Sequence, residues 1–227
     1  MDQEPLKKAV GYRAASLVEK GMRIGLGTGS TVKYFIEKLI ERNRTEHLHL
    51  QVIASSQESF RLAQAGNLPF ADPQTLTSLD LTVDGADEID PQKRMIKGGG
   101  GALLREKMLA SISRELVIII DESKLVSQLG VHKLPIEVIP FACHALLHHI
   151  QKLGFLAEFR KEKSGSYYIT DNGNYIIDIR FKQPLPNPES THALLKEIPG
   201  VIETGFFFHL AGRVIIAFQD GQVLIKT

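Results

Sequence analysis

The chain reads as an α/β protein: a Rossmann-like, mostly parallel sheet domain joined to a second, smaller ferredoxin-like α/β domain. Three observations predict this. Up to about residue 130, short apolar runs alternate with amphipathic helical stretches, the pattern of a parallel sheet covered on both faces. After Val131 the order becomes strand, helix, two strands, helix, strand, which is that of a split βαβ unit. Residues 84–107 gather carboxylates, glycines and cations into three clusters, placed where open α/β sheets hold their ligands.

Pro5 suits the first turn of a helix running to about Lys20, with Leu6, Val10, Ala14, Leu17 and Val18 on one face. Residues 22–26 form a short strand and 31–40 carry a helical period. Residues 49–54 and 56–65 repeat the strand–helix pair, and Ser55-Ser56 reads as its N-cap. Residues 79–83 are a strand, 101–111 a helix and 116–120 a wholly apolar strand. In the second part, 134–139 is a strand, 142–153 a helix and 156–159 a strand. Residues 167–170 and 175–180 flank Asp171-Asn-Gly-Asn174, strong hairpin-turn chemistry. A helix over 188–198 and a strand over 201–208 complete the unit, and 213–218 with 223–225 form a last hairpin. There is no internal repeat, low-complexity tract or flexible linker.

With 227 residues, 43% of them hydrophobic, the chain can bury a substantial core. Its net charge of +1 leaves no electrostatic footprint for nucleic acid or an anionic membrane. One cysteine, Cys143, excludes an intramolecular disulfide and fits a reducing compartment; beside Phe141 and Ala142 it reads as a buried, inert thiol. The N-terminus lacks the basic-then-apolar pattern of a signal peptide, and no run approaches the roughly 20 apolar residues that span a bilayer. A cytoplasmic, soluble protein is expected.

Gly25-Leu-Gly-Thr-Gly-Ser-Thr31 follows a strand and opens a helix. Its glycines let the backbone approach an anion, the helix terminus offers N–H groups, and Thr28, Ser30 and Thr31 add hydroxyls, so phosphate is the natural guest. Ser30 stands one residue after Gly29, where the dinucleotide fingerprint wants glycine, and no Walker lysine is present. Asp84, Gly85, Ala86 and Asp87 end the next strand, where carboxylates can bind sugar hydroxyls or shuttle a proton. Their spacing is not that of a calcium loop, and no His or Cys joins them locally, so no metal is expected. Lys97 precedes Gly98, Gly99, Gly100 and Gly101; four glycines carry a high entropic cost, which an oxyanion-holding loop of N–H donors explains better than a spacer. Glu106 lies one turn into the following helix, where a carboxylate favours the dipole and can also serve as a base. Lys124, in Asp121-Glu-Ser-Lys124, ends the most apolar strand. Lys7 and Lys8 on the first helix are solvated charges by default. His144 and His148 have zinc-protease spacing, but Ala145 stands where that motif needs glutamate, so a partly exposed helix face is expected.

Together these residues resemble the ribose-5-phosphate isomerase type A family. The resemblance rests on the 25–31 turn, Val83-Asp-Gly-Ala-Asp-Glu-Ile89, Ile96-Lys-Gly-Gly-Gly-Gly-Ala102, Arg105-Glu-Lys107 and Asp121-Glu-Ser-Lys124. Leu134-Pro-Ile-Glu-Val-Ile-Pro140, Thr170-Asp-Asn-Gly-Asn174 and Ile198-Pro-Gly-Val201 extend it over nearly the whole chain. It implies interconversion of ribose 5-phosphate and ribulose 5-phosphate without metal or cofactor, in the pentose phosphate pathway. It also implies that Glu106 is the proton acceptor, that Asp84 assists ring opening, with Asp87 nearby, and that Lys97 with Gly98, Gly99 and Gly100 stabilises an enediolate. Thr28, Gly29, Ser30 and Thr31, with Gly85, Ala86, Lys124 and Lys7, would bind substrate. A homodimer or homotetramer is implied, as is a large domain of 1–131 plus 209–227 around a small one of 132–208. Two competing readings are a CoA transferase with Glu106 as nucleophile and a sugar-phosphate-sensing module. The second expects an attached helix-turn-helix and a basic face, which the chain lacks.

Overall fold

In the computed structural model, which describes residues 3–227, the chain begins with α1 (Glu4–Ala15), β1 (Arg23–Leu26), α2 (Ser30–Glu46), β2 (Gln51–Ala54), α3 (Gln57–Ala65) and β3 (Leu81–Asp84). Two short strands, β4 (Glu88–Ile89) and β5 (Met95–Ile96), precede α4 (Leu103–Ser111), β6 (Leu116–Asp121) and a 3-10 turn (Glu122–Lys124). Then follow β7 (Leu134–Val138), α5 (Cys143–Lys152), β8 (Leu156–Phe159), β9 (Tyr175–Arg180), α6 (Pro188–Lys196) and β10 (Val201–Thr204). The chain closes with β11 (Phe206–Phe207), β12 (Ala211–Ala217) and β13 (Val223–Lys226). By compactness it divides into two units: Met1–Ala86, Arg105–Leu125 and His209–Thr227 form the first, Asp87–Leu104 and Val126–Phe208 the second.

The first unit is built on a six-stranded sheet of order β13-β12-β6-β3-β1-β2, parallel throughout except for β13. All six residues of β6 are buried, as its apolar run predicts for a strand covered on both faces. Val10 and Ala14 of α1, and Val32, Phe35, Ile36 and Leu39 of α2, pack with Ile24, Leu26, Val83, Val117 and Ile119 of the sheet. Strand order reverses between β1 and β3. That is the switch point at which a doubly wound sheet leaves a crevice at its strand ends, and the 25–31 turn and Asp84 both sit there.

α1 stops at Ala15, short of the Lys20 that its apolar face suggests. The Arg42 guanidinium of α2 takes the carbonyls of Ala15 and Val18, and Leu17 N and Val18 N turn back onto Ala14 and Ala15. An outside donor satisfies the terminal carbonyls and ends the helix.

In the second unit, β7, β9, β8 and β10 form an antiparallel sheet of order β10-β7-β9-β8, the split βαβ arrangement expected, with α5 and α6 contributing Leu146, Ile150 and Leu195 to its core. Residues 167–170 join it only through isolated bridges and are not a strand. Their backbone is diverted because Thr170, Asn172 and Asn174 all donate to the wholly buried Glu137 Oε1 of β7, at 3.0, 2.9 and 2.8 Å. The expected single strand over 201–208 is two strands in different sheets: β10 joins β7, whereas β11 joins β5 and β4. Gly205 is the crossing point. Its N–H donates to Pro135 O at 2.7 Å, its carbonyl accepts from Lys97 N at 2.8 Å, and a β-carbon there would lie 2.9 Å from the Pro135 ring.

Candidate active site

In the first unit the ends of β1 and β3 are tied together. Gly27 N donates to Val83 O at 2.9 Å, and Thr28 N and Gly85 N donate to Asp84 Oδ1 at 3.1 and 2.8 Å. Two N–H groups therefore orient a carboxylate that is 1% exposed. Gly27 leaves the room for it: a β-carbon there would stand 2.7 Å from Asp84 Cα and overlap the carboxylate. Thr28 Oγ1 lies 2.7 Å from Ser55 Oγ, and Ser59 Oγ donates to Gly27 O at 2.6 Å, so α3 braces the turn from behind. Ser56 caps α3 by accepting from Ser59 N, as the sequence suggests.

Gly29, at φ 111°, delivers the chain into the 17-residue α2, whose first turn holds Ser30 and Thr31 and no acid. A helix terminus of this kind presents N–H groups and a favourable dipole to an anion. Glu106 sits in the first turn of α4 and is 3% exposed. At the end of β6, buried Asp121 accepts from the N–H and the hydroxyl of Ser123, capping the turn that carries Lys124. Lys124 and Lys7 are partly buried, and among the described residues no hydrogen bond links either ammonium to the glycine turn.

The second unit begins three residues after Asp84. Asp87 N donates to Ile96 O, and Asp87 Oδ2 accepts from Gly99 N at 2.8 Å, so the acid cluster and the glycine loop are joined here. Lys97 is 2% exposed, with Nζ 5.2 Å from the Phe207 ring centroid. Gly101 N donates to Gly98 O at 2.9 Å and closes the loop as a tight turn. Gly98 and Gly101 hold φ of 99° and 80°, left-handed values that glycine adopts without a steric penalty. Buried Glu88, the residue after Asp87, receives the N–H groups of Gly130 and His132.

The residues that sequence reasoning missed lie behind this loop. Arg160 Nη1 donates to Gly98 O at 3.1 Å and Gly99 O at 3.0 Å, and Tyr168 Oη donates to Gly100 O at 3.0 Å. Arg160 is itself held by Asp178, through Nε at 3.0 Å and Nη2 at 2.6 Å, and Lys133 Nζ joins Asp178 at 2.5 Å. The only signal in the sequence was an arginine just past one strand and an aspartate inside another, 18 residues apart.

Burial by itself would raise the pKa of Asp178, but the hydrogen bonds and charges of Arg160 and Lys133 outweigh it and hold the carboxyl below its ordinary value. A depressed folded-state pKa contributes stability above the unfolded value of about 4, which is lost as pH falls through the folded one. We expect Asp178→Asn to cost about 3 kcal/mol at pH 7, as breaking a buried pair does. In urea titrations at several pH values, the gap to wild type should narrow below about pH 4. A gap independent of pH would show that the pair's charge is not what stabilises the unit.

The structure thus gathers Thr28, Asp84 and Gly85 in the first unit, and Asp87, Lys97, Gly98, Gly99 and Gly100 in the second. Ala86 is the last residue before the division. Cys143 is buried with a free thiol, and His144 packs on Phe159 while its Nε2 lies 3.2 Å from Tyr167 Oη. Among the described residues no group of three or more His, Cys, Asp or Glu is arranged to hold a metal ion, and no helix is long and apolar enough to cross a membrane.

A doubly wound sheet with a glycine turn and a buried aspartate at its switch point is the arrangement in which open α/β proteins hold their ligands. The profile of ribose 5-phosphate isomerase A (phosphoriboisomerase A) matches residues 51–221. The ribose-5-phosphate isomerase A of Protochlamydia amoebophila is 49% identical over 219 residues, covering 96% of this chain and 94% of its own. Ribose 5-phosphate isomerase from Plasmodium falciparum superposes with a TM-score of 0.94 at 36% identity, covering 99% of this chain and 98% of its own. A D-ribose-5-phosphate isomerase solved in complex with phospho-erythronic acid gives 0.93 at 37% identity, covering 100% and 99%. The chain belongs to the ribose 5-phosphate isomerase A family, and it is an isomerase, as its motifs imply.

Proposed function

We propose that the chain interconverts D-ribose 5-phosphate and D-ribulose 5-phosphate through an enediolate, as a cytoplasmic step of the non-oxidative pentose phosphate pathway and as a homodimer or homotetramer. The observation that carries this reading is a buried glutamate, Glu106, in the helix that directly follows the glycine loop. Glu106 takes the proton from C2 of the open-chain aldose, and the electron pair shifts through C1 onto the aldehyde oxygen. The same carboxyl returns the proton to C1 while the C2 hydroxyl's proton passes to the C1 oxygen, leaving a ketone at C2 and a hydroxyl at C1. Asp84, oriented by two N–H groups, moves protons on oxygen and assists ring opening. Lys97 and the Gly98 and Gly100 N–H groups of the loop meet the oxyanion, a kind of donor worth about 10²–10³ in rate, while the Gly99 N–H holds Asp87. Thr28, Gly29, Ser30 and Thr31, with Lys124 and Lys7, grip the phosphate; Gly85, Ala86 and Asp87 bind the sugar. Binding of phospho-erythronic acid by a relative supports a phosphorylated, sugar-derived ligand here.

The test is incubation with ribose 5-phosphate in D₂O containing EDTA, followed by NMR. Ribulose 5-phosphate carrying solvent deuterium on carbon supports metal-independent proton transfer; absence of ketose from folded protein sinks the proposal. For the phosphate grip, Lys124→Ala should raise KM about 10- to 100-fold, the worth of a charge-assisted hydrogen bond, with kcat little changed. A pure loss of kcat in steady-state assays would move Lys124 into the chemistry.

A further inference from the structure

The Gly98, Gly99 and Gly100 carbonyls each have a partner, and these partners decide where the N–H groups that follow them point. In a trans peptide the C=O and the following N–H are antiparallel, so holding the oxygen on one side aims the hydrogen to the other. Gly98 O is held by Arg160 and Gly101 N, and the N–H of the same peptide, that of Gly99, accordingly points to Asp87. Gly99 O is held by Arg160, so the Gly100 N–H faces away from the guanidinium. Gly100 O is held by Tyr168, and the Gly101 N–H closes the turn. Among the described residues the Gly100 N–H has no hydrogen-bond partner, and Gly100 is exposed.

One side chain therefore sets two peptide planes. Arg160 is suited to this because its fork is rigid and its side chain is only 9% exposed, with Nε and Nη2 already engaged by Asp178. Its guanidinium carbon also lies 5.7 Å from the Tyr168 ring centroid, so the two residues that hold the loop brace each other. Four glycines in succession do not keep one conformation by their own preference. The conformation comes from behind.

We propose that Arg160 is a positioning residue for the isomerisation: by taking the Gly98 and Gly99 carbonyls it aims the Gly100 N–H at the substrate's developing oxyanion and, through the Gly99 N–H, fixes Asp87. This rests on the function proposed above. Arg160 touches no substrate in this scheme and acts only through the loop.

The experiment compares Arg160→Ala with wild type in the full chain, assayed on ribose 5-phosphate. Asp178 keeps Lys133 at 2.5 Å in the variant, so the carboxylate is not stranded. Misaiming one or two donors should lower kcat about 10- to 100-fold and leave KM within about threefold. Ethylguanidinium added at millimolar concentration should restore part of kcat in Arg160→Ala and do nothing for wild type. Arg180→Ala serves as control: Arg180 shares with Arg160 the lining of a cleft of about 430 Å³, but pairs with exposed Glu158 instead of the loop. It should keep wild-type kcat.

Arg160→Lys keeps a cation beside Asp178 but loses the rigid fork that takes both carbonyls, and should cost about three- to tenfold in kcat at unchanged KM, which decides the matter if Arg160→Ala fails to fold. Wild-type kcat in either variant, a KM that rises in step with the loss, or no response to ethylguanidinium overturns the proposal. If wild type itself does not isomerise ribose 5-phosphate, the proposed function falls and this inference with it. An active wild type with undisturbed variants sinks this inference alone.

Discussion

Replacing Glu106 by glutamine is expected to remove about two to four orders of magnitude from kcat, the range that a positioned general base supplies, while KM stays within a few-fold. The substitution keeps the shape and polarity of a side chain that is 3% exposed, and removes only its basicity. A carbon acid next to a carbonyl gives up its proton slowly to water, so the rate rests on a base held at the right carbon. The phosphate and sugar contacts proposed above lie elsewhere, on the 28–31 turn and the 84–87 segment, and should bind substrate as before. The variant's exchange of substrate hydrogen with D₂O should fall in parallel with turnover. Near-normal turnover, or exchange that survives when turnover does not, would take Glu106 out of the proton path.

Gly27→Ala should be nearly as damaging although it alters no reactive group. The added methyl would overlap the Asp84 carboxylate and press within 2.7 Å of the Asp84 Cα, where β1 and β3 are paired and cannot separate freely. Overpacking of this kind costs about 1–3 kcal/mol. Displacement of a catalytic carboxylate by about an ångström costs roughly 10²-fold in rate. We therefore expect kcat/KM to fall about 100-fold and the urea midpoint to drop, with Asp84 itself intact. Loss of stability with unchanged kcat/KM would mean that the orientation of Asp84 does not limit the reaction.

Much of the architecture was legible because it follows from burial. The apolar run of β6 and the helical period of α2 each announce an element covered by others, and the Asn-Gly turn marks the entry to β9. The chemistry-bearing clusters were legible because glycines and carboxylates are costly where they serve no purpose. What stayed hidden depends on partners distant in sequence. β4, β5 and β11 are two residues each, too short to show any period, and exist because they pair with one another. The division of 201–208 into two strands turns on one backbone position, Gly205, whose role appears only when Lys97 and Pro135 are beside it. Arg160, just past β8, and Asp178, inside β9, look like ordinary strand charges until the fold places their pair behind the glycine loop.

The place of β12 in its sheet bears on how the chain is made. β6 has β3 on one side and β12 on the other, and all six of its residues are buried in the finished protein. On the ribosome, roughly 90 residues separate the end of β6 from the start of β12, on the order of ten seconds of synthesis. Throughout that interval the most apolar strand of the sheet carries an open edge, the kind of surface that recruits strands from other chains. The nascent protein therefore needs shelter from its neighbours, by chaperones or by low local concentration, until its last hairpin emerges. A chain broken off after the second unit would carry that sticky edge permanently, a mark by which quality control can tell it from the whole.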